Sequence, residues 1–185
     1  MTSRPTVHPR DLGDGAALRL IEATDAAALT ELRLANRAHL ARSGPERSEE
    51  YFTLAGQEAA IDDALSRFGA GLDVPLMIVD AGHPVGQVSL SNIVRGPLQS
   101  ANLGYWIAAA GQGRGLVSRA VAAMIEVARD DLGLHRLEAG TLVDNERSQS
   151  VLLRAGFERI GLARRLLLIE GQWEDHVLFQ RLLDE

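Results

Sequence analysis

The sequence predicts a single mixed α/β domain. Its 185 residues suffice for one hydrophobic core and do not require a second. Apolar residues recur every second position in some stretches and every three or four in others, so strands and helices follow one another in blocks. No linker, repeat or low-complexity tract interrupts them. The predicted order is β-αα-βββ-α-β-α-ββ, about seven strands and about four helices.

Met1 to Gly15 carry two prolines, two glycines and no periodicity. They are expected to form a flexible tail, leaving residues 16–185 as the domain. The first strand falls near Leu18–Ile21. From Asp25 to Ala41, Leu29, Leu32 and Leu40 fit one helix, which "RSGPE" at Arg42–Glu46 breaks. A second helix carries Leu54, Ile61, Leu65 and Phe68 on one stripe and stops at Gly69 and Gly71. "VPLMIVD" at Val74–Asp80, "VGQVSLSNIV" at Val85–Val94 and "ANLGYWI" at Ala101–Ile107 are strands. Gly104 inside the third marks a bulge or a close approach of ligand or chain. After a glycine loop, Val117, Ala120, Val121, Met124 and Ala128 recur at helical spacing. "HRLEAGTLV" is a strand. "NERSQSVLLRAGF" is a short helix with Asn145 at its N-cap and Gly156 past its end. Two strands near Glu158–Ile169 and Trp173–Leu183 close the chain, with "EGQ" turning between them.

Composition removes several chemistries. There is no cysteine, so disulfides, thiolate ligands and a cysteine nucleophile are out. All 19 basic residues are arginine, so no lysine base, Schiff base or P-loop lysine is available. Net charge is −6, which speaks against direct nucleic-acid binding. No apolar run has the roughly 18 residues of a membrane span, and no signal peptide is evident; a cytoplasmic location is expected. The five histidines are scattered without ligand spacing, so no metal is expected.

"GQGRGLVSRAV" at Gly111–Val121 carries the most chemistry. The first turn of a helix has N–H groups without internal partners and roughly half a positive charge. Glycine lets a ligand approach that backbone. Gln112, Gly113, Arg114 and Gly115 therefore describe a cradle for an anion, to which Arg114 adds charge. No acidic residue precedes Glu126, which leaves the helix dipole for an external anion. A strand-to-helix turn needing glycine only for geometry explains the same residues. The loop lacks the Gly-Lys-Ser/Thr of a Walker loop and the G-x-G-x-x-G spacing of a dinucleotide fold.

With these stretches together, the chain resembles the GNAT acetyltransferases, and within them the ribosomal-protein alanine N-acetyltransferases of RimJ/RimL type. The resemblance lies in "SNIVRG" at Ser91–Gly96, "LGYWI" at Leu103–Ile107, "QGRGLVSRAV" at Gln112–Val121 and "LHRLEA" at Leu134–Ala139. It continues in "DNERSQSVLLRAGFERIG" at Asp144–Gly161 and "LLLIEGQWEDHVLF" at Leu166–Phe179, with "ANRAHL" at Ala35–Leu40 upstream. It implies a mixed, mostly antiparallel twisted sheet whose middle strands splay to form an acetyl-CoA cleft. It implies direct attack of a primary amine on the thioester, the acceptor being the N-terminal α-amino group of a ribosomal protein or, alternatively, a small amine or amino-acid-like compound. A silent CoA-binding sensor is a third reading, and a homodimer through a sheet edge is compatible with the fold. The family's Q/R-x-x-G-x-G/A loop is matched by Gln112 and Gly115, while Val117 replaces its last small residue. Leu152 stands where many members carry a tyrosine that protonates the leaving thiolate.

Acetyl-CoA contacts are thus expected from Tyr105, Trp106, Ile107, Gln112, Gly113, Arg114, Gly115, Leu116, Val117, Ser118, Asn145 and Ser148. Ser148 matches the serine that serves the sulfur in the ribosomal branch; alone, it is also a polar residue in a first helical turn. Asn145 is a cap and, by resemblance, a contact of the pantetheine arm. Glu138, Glu174 and Asp175 are candidate bases, with a solvent-facing strand position and a hairpin-end charge pair as the plain alternatives. His135 and His176 are candidate proton shuttles or local partners. Glu49 and Glu50 are expected to serve a helix dipole. Asn36, Arg37, His39 and Trp173 are the expected acceptor contacts.

Overall fold

Period-two patterning becomes one eight-stranded sheet in the order β1-β2-β3-β4-β5-β6-β8-β7. The computed structural model describes residues 6–42 and 44–183. The strands are β1 (Arg10–Gly13), β2 (Ala16–Leu20), β3 (Val74–Asp80), β4 (His83–Val94), β5 (Ser100–Ile107), β6 (Arg136–Leu142), β7 (Glu158–Ile169) and β8 (Gln172–Leu182). Every neighbouring pair is antiparallel except β5 and β6.

The sheet has one strand more than expected, because β1 lies inside the stretch read as a tail. Its single inward side chain, Leu12, is buried, Arg10 pairs with Asp131 at 2.8 Å, and the strand runs antiparallel to β2. One buried residue in four is too short a signal for periodicity to reveal. Met1–Pro5 of the expected tail lie outside the described residues.

Among the described residues, five helices stand where about four were expected: α1 (Ala26–Ala35), α2 (Arg37–Ala41), α3 (Leu54–Gly69), α4 (Leu116–Glu126) and α5 (Glu146–Arg154). The expected helix from Asp25 to Ala41 is broken at Asn36. Its side-chain nitrogen donates to the Leu32 carbonyl at 2.8 Å, and its oxygen accepts from the Ala109 N–H at 2.9 Å. The break therefore ties this helix pair to the segment after β5. Glu49 and Glu50 sit in a short 3-10 turn before α3, whose cap is Thr53, accepting from the Gly56 N–H at 3.0 Å. α4 runs on into a π-helical turn, Val127–Asp131.

Alternation along β3 divides the core. Leu76 and Ile78 join Val121, Met124, Leu137, Leu152 and Phe179 on the α4–α5 face. Met77 joins Ile21, Leu29 and Ile61 on the α1–α3 face. Each fully buried aliphatic side chain contributes about 1.5–3 kcal/mol.

The feature that makes a site is the meeting of β5 and β6. They pair only at Ser100↔Arg136, Ala101↔Leu137 and Asn102↔Glu138, then diverge. β5 keeps its pairing with β4 as far as Ile107, in unbroken register through Gly104. So Gly104 is not bulged. The irregularity lies opposite, between Ser91 and Val94, where Asn92 takes a φ of 52°.

Candidate active site

Beyond Asn102 the divergence opens a cleft of about 1320 Å³. β5 (Leu103–Ile107) forms one wall and β6 (Ala139–Leu142) the other, with the glycine loop, the start of α4 and one side of α5 along its length around the rim. On the β6 side, β5 has no strand partner past Asn102, so its backbone groups there are open to a ligand.

The glycine loop meets the geometric demands of an anion cradle. Gly115 caps α4 at φ 72°, a left-handed conformation that a side chain strains. A Cβ on Gly111 would lie 2.9 Å from Ile107 Cγ1. No side chain caps α4 and no acidic residue occupies its first turn, so its leading N–H groups face the cleft without a protein anion. Leu116 is buried and anchors the helix; Val117 and Ser118 line the cleft beside Gly113 and Gly115.

Arg114 departs from expectation. Its guanidinium turns to the Asp80 carboxylate at the end of β3, a hydrogen bond and charge that raise the arginine's pKa, and it does not line the cleft. Gln112 instead spans the rim. Its amide donates to His39 Nε2 at 3.0 Å and its carbonyl accepts from Arg147 at 3.1 Å, joining α2, the loop and α5.

Tyr105 and Trp106 face opposite sides of β5. The Tyr105 hydroxyl lies 2.8 Å from Ser148 Oγ and 3.2 Å from the Ser148 carbonyl oxygen. Burial raises the phenol's pKa, and the bond to Ser148 offsets part of that, so Tyr105 stays protonated. Ser148 is held in turn by its N–H, which donates to the Asn145 side chain at 3.1 Å. Trp106 points to the α1 face, with its indole N–H on Gln87 at 2.8 Å and the Arg33 guanidinium 4.3 Å from its ring. Both aromatics and Ile107 line the cleft.

The candidate carboxylates do not. Glu138 pairs with Arg136 at 2.7 Å. Asp175 accepts from the Arg165 N–H at 2.8 Å and braces the irregular middle of β7. Glu174 contributes its carbonyl oxygen, which accepts from His176 Nδ1 at 3.1 Å. His176 is buried and does line the cleft. Among the expected acceptor contacts, only His39 reaches the lining. Asn36 is consumed by its two backbone bonds, Arg37 pairs with Glu49 over the Phe52 ring, and Trp173 is 60% exposed.

The site residue that sequence reading missed is Thr141, buried in the β6 wall. Its signal was present: it follows Leu137 and Ala139 at period two, so it faces inward. Among the described residues, no group of three or more histidine, aspartate or glutamate side chains could hold a metal.

Comparison with known proteins identifies the family. Residues 16–158 match the model of the acetyltransferase (GNAT) domain. The chain is 34% identical over 167 residues to the [ribosomal protein uS5]-alanine N-acetyltransferase of Escherichia coli, covering 89% of this chain and 86% of that protein. A crystal structure of the ribosomal-protein-S5-alanine acetyltransferase of Vibrio fischeri superposes with a TM-score of 0.89 at 33% identity, over 93% of this chain and 95% of that one. Mycobacterium smegmatis RimJ, in complex with CoA-disulfide, gives 0.88 at 30% identity, over 91% and 82%. The family match and these relatives settle the family: the chain belongs to the GNAT acetyltransferase family and is an N-acetyltransferase.

Proposed function

We propose that this enzyme uses acetyl-CoA to acetylate the N-terminal α-amino group of a protein, a ribosomal protein in the first instance. The observation that carries the reading is the continuity of one cleft from the free amides of α4 to the Ser148 hydroxyl. A pyrophosphate at those amides sets the pantetheine arm along the unpaired edge of β5, with the thioester near Ser148. The Escherichia coli and Vibrio fischeri relatives are alanine acetyltransferases of ribosomal protein S5, and the RimJ structure holds a CoA-disulfide.

The amine attacks the thioester carbonyl, the C–N bond forms, and collapse of the adduct breaks the C–S bond. Ser148 supplies a proton to the departing thiolate and recovers one from solvent. Leu152, fully buried, offers no phenol for that step. An α-amino group with a pKa of about 7.7–8.0 is roughly a tenth neutral at pH 7, so water suffices to take its proton. This suits a cleft whose wall lacks Glu138, Glu174 and Asp175. A cytoplasmic setting goes with such an acceptor; among the described residues, no helix is long and apolar enough to cross a membrane.

The test is thiol release from acetyl-CoA with short peptides of varied N-termini beside polyamines and free amino acids. The chain has no cysteine, so a thiol dye reports only released CoA. Turnover with peptides beginning in alanine or serine is expected. Turnover confined to small amines discards the protein acceptor, and acetyl-CoA binding without any turnover favours a sensor.

A further inference from the structure

Thr141 is 5% exposed, lines the cleft, and its hydroxyl has no hydrogen-bond partner. Four other buried polar side-chain atoms among the described residues are likewise unpartnered, and all are arginine Nε atoms: Arg10, Arg33, Arg119 and Arg136. Each of those guanidinium groups bonds through a terminal nitrogen. Thr141 alone has its whole polar content buried and unmet. A buried hydroxyl normally finds a partner, and leaving one without costs stability.

The sheet register shows where this hydroxyl points. Ala101 and Leu137 are paired across β5 and β6 and both belong to the α4–α5 core. Continuing that parallel register past the last pair, Asn102↔Glu138, sets Tyr105 level with Thr141 and on the same face. Tyr105 already reaches Ser148 on that face. Three hydroxyls thus face the same side of the cleft, from its two walls. Tyr105 and Ser148 satisfy each other, and the third, on the opposite wall, has no partner.

We infer that Thr141 donates a hydrogen bond to the thioester group of bound acetyl-CoA, from the wall opposite the Tyr105–Ser148 pair. The inference rests on the acetyl-CoA reading above and adds a contact to it. The ligand supplies the acceptor that the protein lacks, so one hydroxyl both costs the empty fold stability and favours the loaded one.

Thr141→Val, which keeps the shape and removes the hydroxyl, separates the two effects. The variant should melt at or above the temperature of the unsubstituted protein when empty. Calorimetry should show acetyl-CoA affinity falling about tenfold, with adenosine 3′,5′-bisphosphate, which lacks the thioester arm, binding unchanged. Thr141→Ser should restore most of the affinity. Unchanged acetyl-CoA affinity in Thr141→Val would overturn the inference, as would an equal loss for the bisphosphate. If the unsubstituted protein binds acetyl-CoA yet acetylates no amine, the acceptor assignment fails and calorimetry still decides for Thr141. If it does not bind acetyl-CoA, both fall.

Discussion

Ser148 owes its setting to two residues at very different separations. Asn145 is three positions away and fixes its backbone; Tyr105 is 43 positions away and fixes its hydroxyl. The first was legible as a helix cap. The second was not, because no local pattern says which strand faces a given helix turn. The same limit hid the Arg114–Asp80 pair and made a plausible anion ligand of a guanidinium already engaged. Ser148→Ala should lower kcat about a hundredfold with little change in KM for acetyl-CoA, as steady-state thiol release would measure. A second residue-scale prediction concerns Asp25, which bonds Arg19 through both oxygens at 2.6 and 2.8 Å and accepts from the Glu22 N–H. Burial pushes its carboxyl up, but the Arg19 bonds, the Glu22 N–H and the arginine charge together hold it below its ordinary value. A folded pKa below the unfolded one contributes stability that is complete above about 3.9 and is lost as pH falls through the folded value. Asp25→Asn should therefore cost about 1–2 kcal/mol in urea denaturation at pH 7. The gap from the parent protein should narrow below about pH 4.

At the scale of elements, strands flanked by turn residues were legible nearly to their ends, β3 at Val74–Asp80 above all. The break between α1 and α2 was not, since the Asn36 bond that makes it goes to Ala109, 73 positions on. β1 stayed hidden because four residues with one apolar contact do not make a period. The geometry of the glycine loop was legible because its features are local: positive φ, an empty cap and no acid in the first turn. Gly115→Ala tests that demand directly. A left-handed alanine costs about 1–2 kcal/mol. Relief of the strain would re-aim the leading amides of α4, so denaturant titration should show the stability loss and calorimetry a weaker acetyl-CoA affinity. Stability falling with affinity unchanged would mean the cap serves the helix alone.

Across the whole molecule, the acetyl-CoA reading proposed above sets the ligand at a junction of the sheet. A molecule lying between β5 and β6 touches both parts of a sheet that three residue pairs otherwise join. Acetyl-CoA at a hundred times its dissociation constant should stabilise the fold by about 2.7 kcal/mol. Hydrogen exchange should show that protection concentrated in Leu103–Ile107 and Ala139–Leu142, the two walls. Protection spread evenly, or confined to α4, would place the ligand elsewhere. The outer edge of the sheet is a different surface. β7 exposes Ile160, Leu162, Leu166 and Leu168 beside Arg159, Arg164 and Arg165, and charges on an open strand oppose indiscriminate pairing with other chains.

The short contact between β5 and β6 also bears on how the chain assembles itself. Every antiparallel strand pairing lies either within residues 10–107 or within residues 136–182. The two groups of strands can each close without waiting for the other, and one brief parallel contact, with α4 laid across, unites them. Loop-closure entropy favours forming the hairpins β3–β4, β4–β5 and β7–β8 first, and the junction, held by only three residue pairs, gains least from closing. A chain cut between Asp131 and His135 should then yield two fragments that find each other in solution, and acetyl-CoA should hasten their reunion.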